Sequence, residues 1–76
     1  MENNDLMLLY TTLTKTELAQ MYLPEATPAV ARRKLNEWIF RNQSLTAALL
    51  QTGYGRSTRM LTPAQVRLII QHLGEP

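Results

Sequence analysis

The feature that most constrains this chain is its punctuation. Thr14 stands three residues before Glu17 and Thr62 three before Gln65, the spacing at which an N-cap hydroxyl and the third helical residue cap each other's backbone N–H. Thr27-Pro28 and Thr62-Pro63 add the preferred order of a cap followed by proline at the first helical position, where the missing N–H costs nothing. Ser44 is the next cap along the chain. Four helices are therefore expected, near residues 15–22, 28–41, 45–52 and 63–73. Leu18, Met21 and Tyr22 share one face of the first, and Pro24 ends it. In the second, Ala31, Leu35, Trp38 and Ile39 form an apolar stripe, while Ala29, Arg33, Asn36, Glu37 and Phe40 point away. Leu45, Ala48 and Leu49 lead to Gly53 in the third, and Val66, Ile69, Ile70 and Leu73 repeat at helical spacing in the fourth, which Gly74 and Pro76 stop.

With 76 residues, 45% of them apolar, the chain has material for one small domain over residues 1–76. The expected fold class is mainly α, a compact bundle of four short helices containing a helix-turn-helix-like pair. Residues 1–13 are open between a short N-terminal strand and an extra helix, because Tyr10, Thr11 and Thr12 favour a strand. Residues 53–61 show no helical period. Two glycines bracketing Tyr54 imply a shaped loop or an extended segment, with the Tyr54 ring either anchoring it or stacking on a base. The expected core is Leu18, Leu35, Trp38, Ile39, Leu49, Val66 and Ile69, with Trp38 at its centre.

Composition excludes several chemistries. Without cysteine there is no thiolate metal site, and His72 alone cannot make a His-based zinc site, so no metal or cofactor is expected. The acidic start, Met1-Glu2-Asn3-Asn4-Asp5, and the short apolar run Leu6 to Tyr10 do not suit an export signal, and no stretch approaches the ~20 apolar residues that span a bilayer. A cytoplasmic protein without membrane contact is expected. Catalysis lacks a team: His72 has no serine or carboxylate at recognisable spacing, Glu17 has its capping role, Glu37 sits four residues after Arg33 on a solvent face, and Glu25 lies in a turn. No enzyme and no small-molecule substrate are indicated.

Recognition remains. The net charge of +2 hides a split. Residues 1–30 set Lys15 against Glu2, Asp5, Glu17 and Glu25, whereas residues 31–76 set Arg32, Arg33, Lys34, Arg41, Arg56, Arg59 and Arg67 against Glu37 and Glu75. A basic half is the electrostatic footprint of a nucleic-acid binder, and equally of an ordinary solvated face. The first two helices, a short turn apart and the second richer in Arg and Lys, have the layout of a helix-turn-helix. Arg33 and Asn36 suit base edges, while Arg32, Lys34 and Arg41 suit phosphates. Phe40 projects away from the apolar stripe and needs a partner, either the helix beginning at Ser44 or another protein chain.

The runs Glu17-Leu18-Ala19, Tyr22-x-Pro24, Ala31-x-x-x-Leu35-x-x-Trp38-Ile39, Leu49-x-x-x-Gly53-Tyr54, Leu61-Thr62-Pro63-x-Gln65-Val66-x-x-Ile69 and Leu73-Gly74-Glu75-Pro76 resemble a family of short, uncharacterised Bacteroides-type proteins. The resemblance spans residues 14–76. It implies a domain of unknown function, one fold unit with no catalytic residue to transfer. Thr14 to Ile39 is more loosely similar to the helix-turn-helix of excisionase and MerR-type DNA-binding domains, from which it departs by extra turn residues around Pro24. Two functions follow as expectations. One is a DNA-binding module, with the 28–41 helix as recognition helix and Arg56 and Arg59 on the 53–61 loop as a phosphate-contacting wing. The other is a protein-interaction adaptor or homodimer using Phe40 and the Leu6 to Tyr10 patch.

Overall fold

Thr14 caps a helix as its sequence demands: its hydroxyl accepts from the Glu17 N–H at 3.0 Å while the Glu17 carboxylate accepts from the Thr14 N–H at 2.9 Å. The computed structural model describes residues 12–76. The Leu6 to Tyr10 patch and most of the 1–13 segment lie outside those residues. Along the described chain run a short strand β1 (Leu13–Thr14), helices α1 (Lys15–Tyr22), α2 (Pro28–Arg41) and α3 (Gln43–Leu50), a second short strand β2 (Met60–Leu61) and helix α4 (Pro63–Leu73). This is the expected mainly α bundle of four helices. A two-residue antiparallel pairing is added to it, with Leu13 opposite Leu61 and Thr14 opposite Met60.

Three helix starts fall where the caps set them, at Thr14, Thr27 and Thr62. The third helix is the correction. It runs from Gln43 to Leu50, two residues earlier than Ser44 as cap would give, because Asn42 serves twice. Its N–H closes α2 on the carbonyls of Trp38 and Ile39, and its side-chain oxygen accepts from the Leu45 N–H at 2.9 Å to open α3. Asparagine caps as well as serine does, so one residue replaces the expected spacer. Beyond α3, Gly53 takes a φ of 87°, the left-handed region expected of it.

The core comprises Leu18, Ala19, Ala31, Leu35, Ile39, Leu45, Leu49, Tyr54, Leu61, Val66 and Ile69. Trp38 is not at its centre. It is half-buried at the rim, where its ring meets Tyr22 edge-on with centroids 5.9 Å apart and planes at 81°. The buried Gln65 fastens α4 to the end of α3. Its side-chain oxygen accepts from the Thr62 N–H, and its amide group donates to the Thr52 hydroxyl at 3.0 Å.

Tyr22 ties α1 to the end of α4 by donating its hydroxyl to the Gly74 carbonyl. Burial, reinforced by the Glu75 carboxylate, raises its phenol from 10.0 to about 12. An unfolded chain would thus ionise this group first, so the stability it confers is complete below pH 10 and is lost as pH rises towards 12. Tyr22→Phe should flatten the fall. Urea midpoints of both proteins between pH 9 and roughly pH 11.5, the range spanning the two phenol values, check this. The comparison cancels Tyr54, whose raised pKa acts the same way, and Lys15, whose lowered pKa acts oppositely. Parallel curves would deny Tyr22 the role.

Candidate nucleic-acid interface

The 53–59 loop has a fixed shape. Gly55 and Thr58 close a turn reciprocally: the Gly55 N–H donates to the Thr58 hydroxyl at 2.8 Å and the Thr58 N–H to the Gly55 carbonyl at 3.1 Å. Arg56 and Ser57 occupy the two central positions of that turn. Tyr54, only 8% exposed, anchors the loop by packing into the core, which favours anchoring over stacking on a base. At its far end the Lys15 N–H donates to the Arg59 carbonyl at 2.6 Å, continuing the β1–β2 pairing onto the first residue of α1.

Lys15 is the joint of the whole arrangement. It falls in register with Leu18, Ala19 and Tyr22 on the inner face of α1 and is 2% exposed. Its ammonium donates to Asn36 Oδ1 on α2 at 3.0 Å and to the Arg56 carbonyl at 3.1 Å, and it lies 4.7 Å from the centre of the Tyr54 ring. One side chain therefore joins α1, α2 and the loop. Burial, then the positive charges of Arg32 and Arg56, hold this ammonium below the usual lysine pKa.

Around that joint the basic residues divide. Arg32 from α2 and Arg56 and Arg59 from the loop line a groove of about 540 Å³ together with Thr14, Thr16, Ser57 and Thr58. Arg32 also reaches the Thr16 hydroxyl at 3.4 Å. A neighbouring groove brings Arg32, Arg33, Asn36, Glu37, Phe40 and Arg56 together. Lys34 and Arg41 stand apart. At 100° per residue Lys34 lies across the helix from Arg32 and shares a stripe with Arg41 seven residues on. Arg41 borders a different depression, with Trp38, Asn42 and Leu73. Asn36 is half-buried at the floor between the grooves, its oxygen engaged by Lys15, whereas Arg33 is exposed. Phe40 is 73% exposed, so α3 does not cover it. With Leu50, Ile39, Thr46 and Tyr54 it borders a small apolar hollow.

Sequence reading missed Lys15, Thr16, Ser57 and Thr58. The available signal was the helical period, which sets Lys15 on the apolar face of α1. His72 donates its Nδ1–H to the Leu68 carbonyl at 2.9 Å on an exposed helix face. Among the described residues no group of three or more His, Cys, Asp or Glu side chains is gathered that could hold a metal ion. No described helix is long and apolar enough to cross a membrane.

The sequence model of the family described as Domain of unknown function (DUF4248) matches residues 9–76. The chain belongs to that family. The DUF4248 match takes in every described element of the fold and all the residues of both basic grooves. No curated protein and no solved structure matches the chain.

Proposed function

We propose that this DUF4248 domain is a non-enzymatic, cytoplasmic DNA-binding module, with α2 entering the major groove and the 53–61 loop contacting phosphates as a wing. The observation that carries the reading is the convergence of Arg32 and Arg33 on α2 with Arg56 on the loop, along one groove. These side chains are exposed. They are brought to one side by the hydrogen bonds of Lys15 rather than scattered over the surface. Guanidinium groups suit phosphate oxygens and guanine edges, and a cluster of them releases counterions on binding DNA. The α1–α2 pair keeps the order of a helix-turn-helix, with a longer turn over residues 23–27. Within it Arg33 is the base-reading candidate, and Asn36 acts as a positioning residue through Lys15. Lys34 and Arg41, on the other stripe of α2, contribute to the field around the duplex rather than to the groove.

A gel shift on mixed-sequence duplex at low and at high salt tests the reading. Binding should be visible at low ionic strength and fall steeply as salt rises. Absence of salt-sensitive binding would reject it. The second reading, a protein-interaction or homodimerising module, is favoured by the exposure of Phe40 beside Leu50, itself 60% exposed, at the apolar hollow. In that case the basic face would meet an acidic protein partner.

A further inference from the structure

Lys15 poses an electrostatic problem. A buried ammonium is costly unless a counter-charge or several hydrogen bonds compensate it. Here its two oxygen partners, an amide and a backbone carbonyl, are neutral. Among the described residues the charged groups facing it are the cations Arg32 and Arg56. Among the described residues that line the groove above it none is acidic. Glu17, at the same end of α1, is turned back onto the Thr14 N–H as half of the capping box. The described residues thus gather positive charge at one concave place whose lining supplies no carboxylate to neutralise it.

We propose that this groove, between the start of α1, the Arg32 turn of α2 and the 55–59 turn, is a binding site for a phosphate group. Arg32, Arg56 and Arg59 supply charged donors in the forked geometry that matches phosphate oxygens. Hydroxyls complete the shell. Thr16 accepts from Arg32 and Thr58 from the Gly55 N–H, so each keeps its own O–H to donate to an anion. Lys15 forms the positive floor, and its bond to the Arg56 carbonyl holds the turn in place before any ligand arrives. The geometry is built on backbone pairing and a buried side chain, which keeps the ordering cost of binding low. The site deepens the DNA reading and rests on it only for the source of the phosphate, a nucleic-acid backbone or a free phosphate group.

The test is an amide chemical-shift titration of the isotope-labelled full chain with potassium phosphate, against potassium chloride matched in ionic strength. Phosphate should produce saturable shifts at Thr16, Ser57 and Thr58 that chloride does not. Arg32→Gln and Arg56→Gln, which alter exposed side chains, should each weaken that binding about tenfold while the rest of the spectrum is unchanged. Shifts that fail to saturate, that chloride reproduces, or that survive both substitutions would overturn the site. A second arm titrates a mixed-sequence duplex. If the duplex moves the same amides and phosphate competes with it, the source is the backbone. If phosphate alone moves them, the site stands for free phosphate groups and the DNA reading falls. Should the duplex bind without moving them while phosphate never saturates, the site and the loop's role as a wing both fall, and only the contact through α2 stands.

Discussion

Leu35→Ala should cost about 2 to 5 kcal/mol of stability, the range for truncating a fully buried leucine. Leu35 is 0% exposed at the middle of α2, within a core built from every helix of the fold. Removing its branched end leaves a void that Ala31 and Ile39, on the same stripe, are too short or too constrained to fill. A domain of this length has only roughly 4 to 11 kcal/mol in total, so the variant should be close to unfolding. Trp38→Ala gives the contrast. Placed at the core's centre, as the sequence suggests, it would cost about 3 to 5 kcal/mol. At the rim the tryptophan is only partly buried against the core and meets Tyr22 edge-on, so roughly half that cost is expected. Urea denaturation of both variants checks the order, and a larger loss from Trp38→Ala than from Leu35→Ala would contradict the packing described above.

The helix starts were legible because a cap is local: donor, acceptor and the residues that order them lie within four positions. The same locality explains the misplaced third helix, since Asn42 and Ser44 are both good caps and only the bond from the Thr46 hydroxyl to the Ile39 carbonyl and the packing of Leu45 choose between them. Tertiary burial was less accessible. Tyr54 and Leu61 sit in a stretch without helical period, and their place in the core depends on β2 finding β1. Lys15 shows the limit most clearly. Its period assigns it to the inner face of α1, its charge argues for solvent, and the conflict is resolved by partners 21 and 41 residues away. For the basic residues, sequence grouped Arg32, Lys34 and Arg41 as flanking phosphate contacts, whereas helical geometry separates Arg32 from the other two. What joins Arg32 to Arg56 and Arg59 is the loop's attachment to α1, which no local pattern encodes.

Replacing Arg56 and Arg59 together by alanine should weaken binding to all duplexes alike. Each lost phosphate contact takes about 0.9 from the slope of log affinity against log salt, so the pair should reduce it by roughly 1.8. That corresponds to about 60-fold in affinity, relative to wild type, over a tenfold dilution of salt. The fold should survive, because the contacts that hold the loop use the Arg56 and Arg59 carbonyls and leave their side chains exposed. Arg33→Ala should behave differently. An exposed residue on the outer face of α2, it should cost on the order of 1 to 3 kcal/mol on a preferred site and little on random duplex. Asn36→Ala belongs with the loop pair. Its oxygen holds Lys15, which holds the Arg56 carbonyl, so its loss should loosen the wing and weaken binding without regard to sequence. Salt-dependent binding curves on a selected site and on mixed duplex separate these patterns. A double arginine variant with an unchanged slope would remove the loop from the DNA contact, and a sequence-selective loss in Asn36→Ala would return that residue to base reading.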